Sequence, residues 1–429
     1  MAILPPGFIS DRSGNFGIMT ALLLVPLVGA AGMAVDFAHA LSLRTQLYAA
    51  ADAAAVGSIS EKSGAVAAAM SMTGDGTISL GKADARSIFM SQISGELSDV
   101  PVDLGINVTK AANKLNSQVS FTATVPTTFM RVLGRDSISI SGTATAEYQT
   151  ASFMDFYILL DNTPSMGVGA TATDVSKMEK NTSDTCAFAC HETQNNNNYY
   201  NLAKTLGVSM RIDVVRQATK ELTQTAKSAR VSSNQFRMGV YTFGTKAEDA
   251  NLTTISDPTE DLDKVRSYTD AVDLMTIPYQ GYNNDQQTSF DSALTQMKTI
   301  ITTPGDGSTS TTPQKILFFV SDGVGDSQKP KGCTKKLTGN RCQEPIDTSF
   351  CQPLKDKGIR VAVLYTTYLP LPKNSWYNTW IAPFQNEIPT KMQACASPGL
   401  YFEVTPTDGI AEAMKALFLK AIRSPRITS

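Results

Sequence analysis

The sequence predicts an α/β protein in three parts: an N-terminal transmembrane helix, a small β-rich region, and a large Rossmann-like domain whose parallel central sheet is flanked by helices. Three observations carry this prediction. An apolar run without charge lies between Arg12 and Asp36, residues from about 100 to 148 alternate with period two, and beyond Phe153 short apolar runs alternate with stretches of helical period. At 429 residues the chain exceeds one ordinary core. Its 42% hydrophobic and 18% charged residues are those of a chain that buries cores rather than one that stays disordered.

The first element is FGIMTALLLVPLVGAAGMAV, the 20 residues from Phe16 to Val35. As a helix it is long enough for a hydrocarbon core of about 30 Å. Pro26 does not forbid this, because a membrane helix absorbs one proline as a kink. The rival reading is a cleaved secretory signal processed at the small residues of VGAAGMA. Against it, the run is longer than a signal core of about 7 to 15 residues. The helical sequence also continues through ALSLRTQLYAAADAAAVGS without Gly or Pro before Gly57. Residues 1–58 therefore read as a membrane anchor continued by a helical stalk standing clear of the bilayer.

Residues 59–150 form the small β-rich module. SQVSFTATVP and SISISGTATAEY alternate and are rich in Val, Ile and Thr, with a short helix expected between them. DVPVDLGINVTKA supplies a further strand of an antiparallel sheet. No catalytic grouping occurs here, so the module reads as a spacer or an interaction surface.

Residues 151–429 carry the large domain. FYILLD, FRMGVYTFG, KILFFVSDG, IRVAVLYTT and LYFEVT have the composition of strands buried on both faces, which implies a parallel sheet covered by helices. Helices are expected near 209–229, 260–272, 287–302 and 408–422. Ligands of such sheets bind beyond the carboxyl ends of the strands. At that edge lie Asp161-Asn162-Thr163-Pro164-Ser165 after the first run, Ser321-Asp322-Gly323 at the end of KILFFVSDG, and Thr288 before a helix. Two carboxylates and three hydroxyls make a hard oxygen set suited to Mg²⁺, with Ca²⁺ and Mn²⁺ as alternatives. Taken singly, each piece also fits a helix cap or a common turn.

Composition excludes other chemistries. With 37 basic against 39 acidic residues, the net charge of −2 offers no broad attraction for nucleic acid or anionic lipid. His39 and His191 are the two histidines, too few for a multi-histidine metal site. The six cysteines (Cys186, Cys190, Cys333, Cys342, Cys351 and Cys395) sit among polar residues, which favours disulfides and an oxidising compartment over reduced thiols. Arg12 and Arg44 flank the apolar run on opposite sides and do not orient it, so the cysteines place the bulk of the chain outside the cytoplasm. A local Cys186–Cys190 bridge is the first expectation, with a variant haem-attachment sequence or half a zinc site as the other readings of Cys-x-x-x-Cys-His. A Cys333–Cys342 bridge would close a hairpin and leave Cys351 to pair with Cys395.

With these residues in view, the second half resembles von Willebrand factor A domains. Their metal-ion-dependent adhesion site (MIDAS) is D-x-S-x-S, a distant Thr and a distant Asp, matched here by Asp161, Thr163, Ser165, Thr288 and Asp322. Thr163 departs from the commoner Ser but keeps the hydroxyl. The resemblance implies a bound divalent metal whose open position accepts a partner protein's carboxylate, and it implies binding rather than turnover. Long insertions fall near 167–206 and 326–350. The enzyme alternative, a haloacid dehalogenase-like phosphatase, needs a second aspartate two residues after the first. That place is Thr163, and the chain reads as non-enzymatic.

The first 60 residues, through VDFAHA and QLYAAADAAA, resemble the N-terminal region of TadG-like proteins of bacterial tight-adherence (Flp) pilus assembly. This implies a single-pass protein of a bacterial inner membrane with its bulk in the periplasm or envelope, binding pilus or envelope proteins. The alternative within the same family is a structural component whose A-type domain holds no metal.

Overall fold

The computed structural model describes residues 15–93, 97, 99–249, 251–282, 288–405 and 409–423. Two compact units divide the chain, Met1–Thr150 and Ala151–Ser429.

In the first unit one helix runs from Asn15 to Ser58, continuous through Pro26. From Gly17 it is long and apolar enough to cross a membrane. Strands β1 (Gly76–Thr77), β2 (Val102–Ala111), β3 (Lys114–Pro126) and β4 (Ser137–Gln149) form an antiparallel sheet in that order. The expected strand, short helix and strand correspond to β3, the 3₁₀ turn Met130–Leu133 and β4. Alternation is regular in β3, where Leu115, Val119, Phe121, Ala123 and Val125 point into the core.

The second half of the long helix does not stand clear, as the alanine-rich sequence led us to expect. Ala40, Leu43, Leu47, Ala50, Ala51 and Ala54 form a buried stripe packed with the apolar face of β3 and β4, and Tyr48 meets Phe121 edge to face at 5.3 Å. The physical reason lies in the sheet. Its period-two pattern leaves one apolar face to cover, and an alanine stripe lets a helix approach closely.

The second unit is built on six strands: β5 (Met154–Leu160), β6 (Phe236–Thr242), β7 (Thr253–Thr259), β8 (Gln314–Ser321), β9 (Arg360–Thr366) and β10 (Tyr401–Val404). Their order is β10-β9-β8-β5-β6-β7, with every neighbouring pair parallel except β6 and β7. The five apolar runs became five parallel strands. The sixth, β7, has the polar sequence TTISDPT and gives no apolar signal. It is an edge strand, where Pro258 is tolerated because the outer side needs no ladder donor. Helices Arg211–Ala229 and Ile410–Arg423 cover one face, and Phe290–Ile300 and Ile388–Cys395 the other.

Strand order reverses between β5 and β8, so the loops after these two strands leave in opposite directions and open a crevice between them. Leu160 is in register with Val320, and the Asp161 N–H continues the ladder to the Val320 carbonyl at 2.9 Å. This switch point brings Asp161 and Asp322, 161 residues apart in sequence, to one place.

The second insertion forms an antiparallel hairpin, Val324–Gln328 with Arg341–Pro345, and the Cys333–Cys342 disulfide lies at its outer end. Cys351–Cys395 is also bonded and ties the segment after this hairpin to helix Ile388–Cys395. The expected Cys186–Cys190 bridge is corrected: both are free thiols. Between them Phe188 pairs antiparallel with Val168, and the Ala189 N–H donates to the Gly167 carbonyl at 3.1 Å. The Cys186 thiol is turned to the Phe188 carbonyl, 3.7 Å away, rather than to Cys190.

Candidate metal centre

Asp161 ends β5 and is fully buried. Its Oδ1 accepts from the Thr163 hydroxyl at 2.7 Å and from the Thr163 N–H at 3.0 Å, and its Oδ2 accepts from the Ser321 hydroxyl at 2.6 Å. The turn is held from behind by Asn162. Its amide donates to the carbonyls of Gly244 and Asp273 at 2.7 and 3.0 Å, and its Oδ1 accepts from the Phe243 N–H at 3.1 Å. Asn162 thus anchors to the neighbouring loops and leaves Thr163 and Ser165 to turn the other way, with hydroxyls 3.4 Å apart. Pro164 opens the 3₁₀ turn Pro164–Gly167, where its fixed φ suits a first helical position.

On the second loop Asp322 is also fully buried. It accepts from the Val324 N–H at 3.2 Å and is hydrogen-bonded by the Ser165 hydroxyl. Gly323 takes φ +74°, and a Cβ there would meet Ile388 Cγ2 at 2.6 Å, so only glycine fits this turn against the helix below. Burial and the neighbouring Asp161 raise the Asp322 carboxyl, with Arg211 and Ser165 working against the rise. Burial likewise raises Asp161 against its hydroxyl donors.

Asp161, Thr163, Ser165 and Asp322 therefore form one linked set of oxygens. Thr288 enters from another side. Its backbone is bridged both ways to Asp326, at 2.7 and 3.1 Å, and it lines with Ser165 a cavity of about 290 Å³. Asp161, Thr163 and Asp322 do not line this cavity, whose walls also include Phe188 of the first insertion, Arg341 of the second, and Trp376. Arg341 is held rigidly: its guanidinium grips Asp326 with two hydrogen bonds of 2.5 Å.

One residue escaped the sequence reading. Arg211, the first residue of its helix, is completely buried, with Nη1 3.4 Å from Asp322 Oδ2 and its guanidinium 5.1 Å from the Tyr368 ring centre. Its Nε and Nη2, like the Tyr368 hydroxyl, have no hydrogen-bond partner among the described residues. The signal was present in the periodicity: 211, 215, 218 and 222 form one buried stripe, so a charge stands on the apolar face of the helix.

The donor set fits a hard divalent cation: carboxylate and hydroxyl oxygens converge from two loops, and Ser165 among them lines the cavity. A phosphatase-like second carboxylate is not found at position 163, where the hydroxyl donates to Asp161 instead.

Residues 14–58 match the Tad family, described as Flp pilus-assembly TadE/G-like. No curated protein matches the chain. Among solved structures, the chain is similar to the von Willebrand factor domain of the type V pili tip protein Mfa5 from Porphyromonas gingivalis, at 12% identity over 65% of this chain and 99% of that one, with a TM-score of 0.37. It is similar also to the PilB minor pilin from Streptococcus sanguinis, at 10% identity over 77% and 79% of the two chains with a TM-score of 0.34. A third likeness is to the pilus adhesin RrgA from Streptococcus pneumoniae, at 13% identity over 74% and 49%, with a TM-score of 0.32. The chain thus joins an N-terminal segment matching the Flp pilus-assembly TadE/G-like family to a mixed α/β domain with the sheet order described above.

Proposed function

We propose that this protein is a membrane-anchored, non-enzymatic component of Flp (tight-adherence) pilus assembly, in which the second unit grips a partner protein through a divalent metal. The observation that carries this reading is the convergence of Asp161, Thr163, Ser165 and Asp322 at the switch point of the sheet, with Ser165 and Thr288 lining one cavity. Asp161, Thr163, Ser165, Thr288 and Asp322 would hold the ion, Mg²⁺ by the hardness of the donors, with Ca²⁺ and Mn²⁺ as alternatives. The bound ion would supply an open coordination position at a cavity mouth. Charge counting favours an acidic ligand there. Two carboxylates, one guanidinium and a divalent ion leave one excess positive charge, which a single carboxylate from the partner offsets.

The match of residues 14–58 to the Tad family, together with a helix long enough to span a bilayer, supports single-pass anchoring in a bacterial inner membrane with both units in the periplasm or envelope. The two disulfides support an oxidising compartment. Pull-down of the native protein from envelope fractions, with and without chelator, tests the proposal. A partner lost on chelation supports it, and a partner retained equally in both contradicts it.

One observation favours a second reading. Arg211 already supplies a fixed positive charge beside Asp322, as expected of a structural component whose A-type domain holds no metal. Metal titration of the purified protein separates the two readings.

A further inference from the structure

The loop between β3 and β4 lies beside the long helix at the point where the apolar run ends. Asp36, the first charged residue after that run, receives three backbone N–H groups from this loop: Thr128 to Oδ1 at 3.0 Å, and Phe129 and Met130 to Oδ2 at 2.8 and 2.7 Å. A carboxylate placed at the opening of a helical turn satisfies donors that would otherwise be orphaned. Asp36 thereby clamps the 3₁₀ turn Met130–Leu133 to the helix. One turn earlier, a Cβ built on Gly32 would lie 2.5 Å from Phe129 Cβ, so only glycine lets Phe129 rest on the helix there.

Beyond the clamp the loop exposes apolar side chains: Val132 is 88% exposed, Leu133 57% and Phe129 46%. Arg131 and Arg135 stand beside them, Arg131 in an exposed pair with Asp136 at 3.6 Å that is worth little in water. Phe129 touches the helix three residues inside the end of the apolar run, a depth of about 4–5 Å at helical rise. That reaches the shallow edge of the depth of an interfacial element, about 5–10 Å into the boundary between headgroups and acyl chains.

We propose that the tip Phe129–Leu133 is a bilayer-docking element. Phe129, Val132 and Leu133 enter the membrane interface beside the transmembrane helix, Arg131 and Arg135 face the lipid phosphates, and Asp36 fixes the depth. The occupant is lipid because the patch is continuous with the apolar helix that enters the bilayer and is rimmed by cations suited to phosphate. Two attachment points on one rigid unit would set the tilt at which the sheet stands on the membrane. The inference rests on the membrane-anchor reading and on nothing in the metal centre.

The test uses the full chain with Trp376 and Trp380 replaced by Phe, reconstituted in phosphatidylcholine–phosphatidylglycerol vesicles, and carrying one reporter at a time, Val132→Trp or Leu24→Trp. The expected result at position 132 is a blue-shifted emission, quenching by lipids brominated near the headgroup, and loss of quenching by aqueous iodide. Asp36→Ala should restore iodide quenching there. Position 24 should respond to deeply brominated chains. If position 132 stays open to iodide while position 24 is buried in lipid, the docking element is overturned and the anchor stands. If both are open to iodide, the anchor reading and the docking element fall together.

Discussion

Arg211 and Asp322 form an ion pair in which both side chains are fully buried, 3.4 Å apart, directly behind the Asp161 loop. Removing one partner of such a pair leaves an uncompensated buried charge, so Arg211→Met should lower stability by about 3–5 kcal/mol. Chemical denaturation in the presence of chelator measures it. If the oxygens hold a metal, Mg²⁺ should restore more stability to Arg211→Met than to the wild type, because the ion then supplies the only positive charge facing two carboxylates.

The same pair predicts a pH dependence for the metal-free protein. Burial and Asp161 push Asp322 up to about 7 from an ordinary 3.8. Between these values the folded state binds more protons than the unfolded one, so stability falls as pH rises through the window. Denaturation in chelator at pH 4.5 and 7.5 should show the fall, and Asp322→Asn or saturating Mg²⁺ should flatten it.

Gly323→Ala should destabilise by about 1–3 kcal/mol or more, combining left-handed strain with collision against Ile388 and Met392. The strain is present without the ion, so the loss should appear in thermal melts in chelator, and it should be no smaller with Mg²⁺ because the same turn positions Asp322.

The cysteines make a distinct prediction. Cys351–Cys395 closes a separation of 44 residues and Cys333–Cys342 one of 9, so loop entropy assigns them about 4 and about 2.5 kcal/mol. Paired Cys→Ala variants should follow that order in denaturation midpoint. Cys186 and Cys190 are free, and burial pushes the Cys186 thiol up to about 11. Unreduced native protein should therefore resist iodoacetamide at pH 8, and mass spectrometry should find two added groups once it is denatured.

Much of this architecture was legible because burial on both faces writes itself as continuous apolar runs. FYILLD and KILFFVSDG announced β5 and β8, but the sheet order that makes a switch point of them is not written in the runs. Strand β7 was invisible because an antiparallel edge strand with Pro258 has neither an apolar run nor clean alternation. The alanine-rich helix was misplaced because alanine favours a free helix and a packed one alike, and only the unpartnered face of the sheet decides. Local cysteine spacing failed at Cys186 and Cys190, where the Cys186 thiol turns to the Phe188 carbonyl instead. Within the site, D-x-T-x-S is written locally and so could be read. Arg211 joins Asp322 from 111 residues away, and its only trace is a charge out of phase with its helix.

The central claim is that the converged oxygens bind a divalent ion. Isothermal titration of chelator-stripped full-length protein with Mg²⁺ tests it most directly, beside Asp161→Asn, which preserves shape while removing the charge of the first carboxylate. The account predicts saturable one-to-one binding to the wild type that is abolished in the variant. No binding to a folded wild type, or equal binding to both proteins, would contradict it.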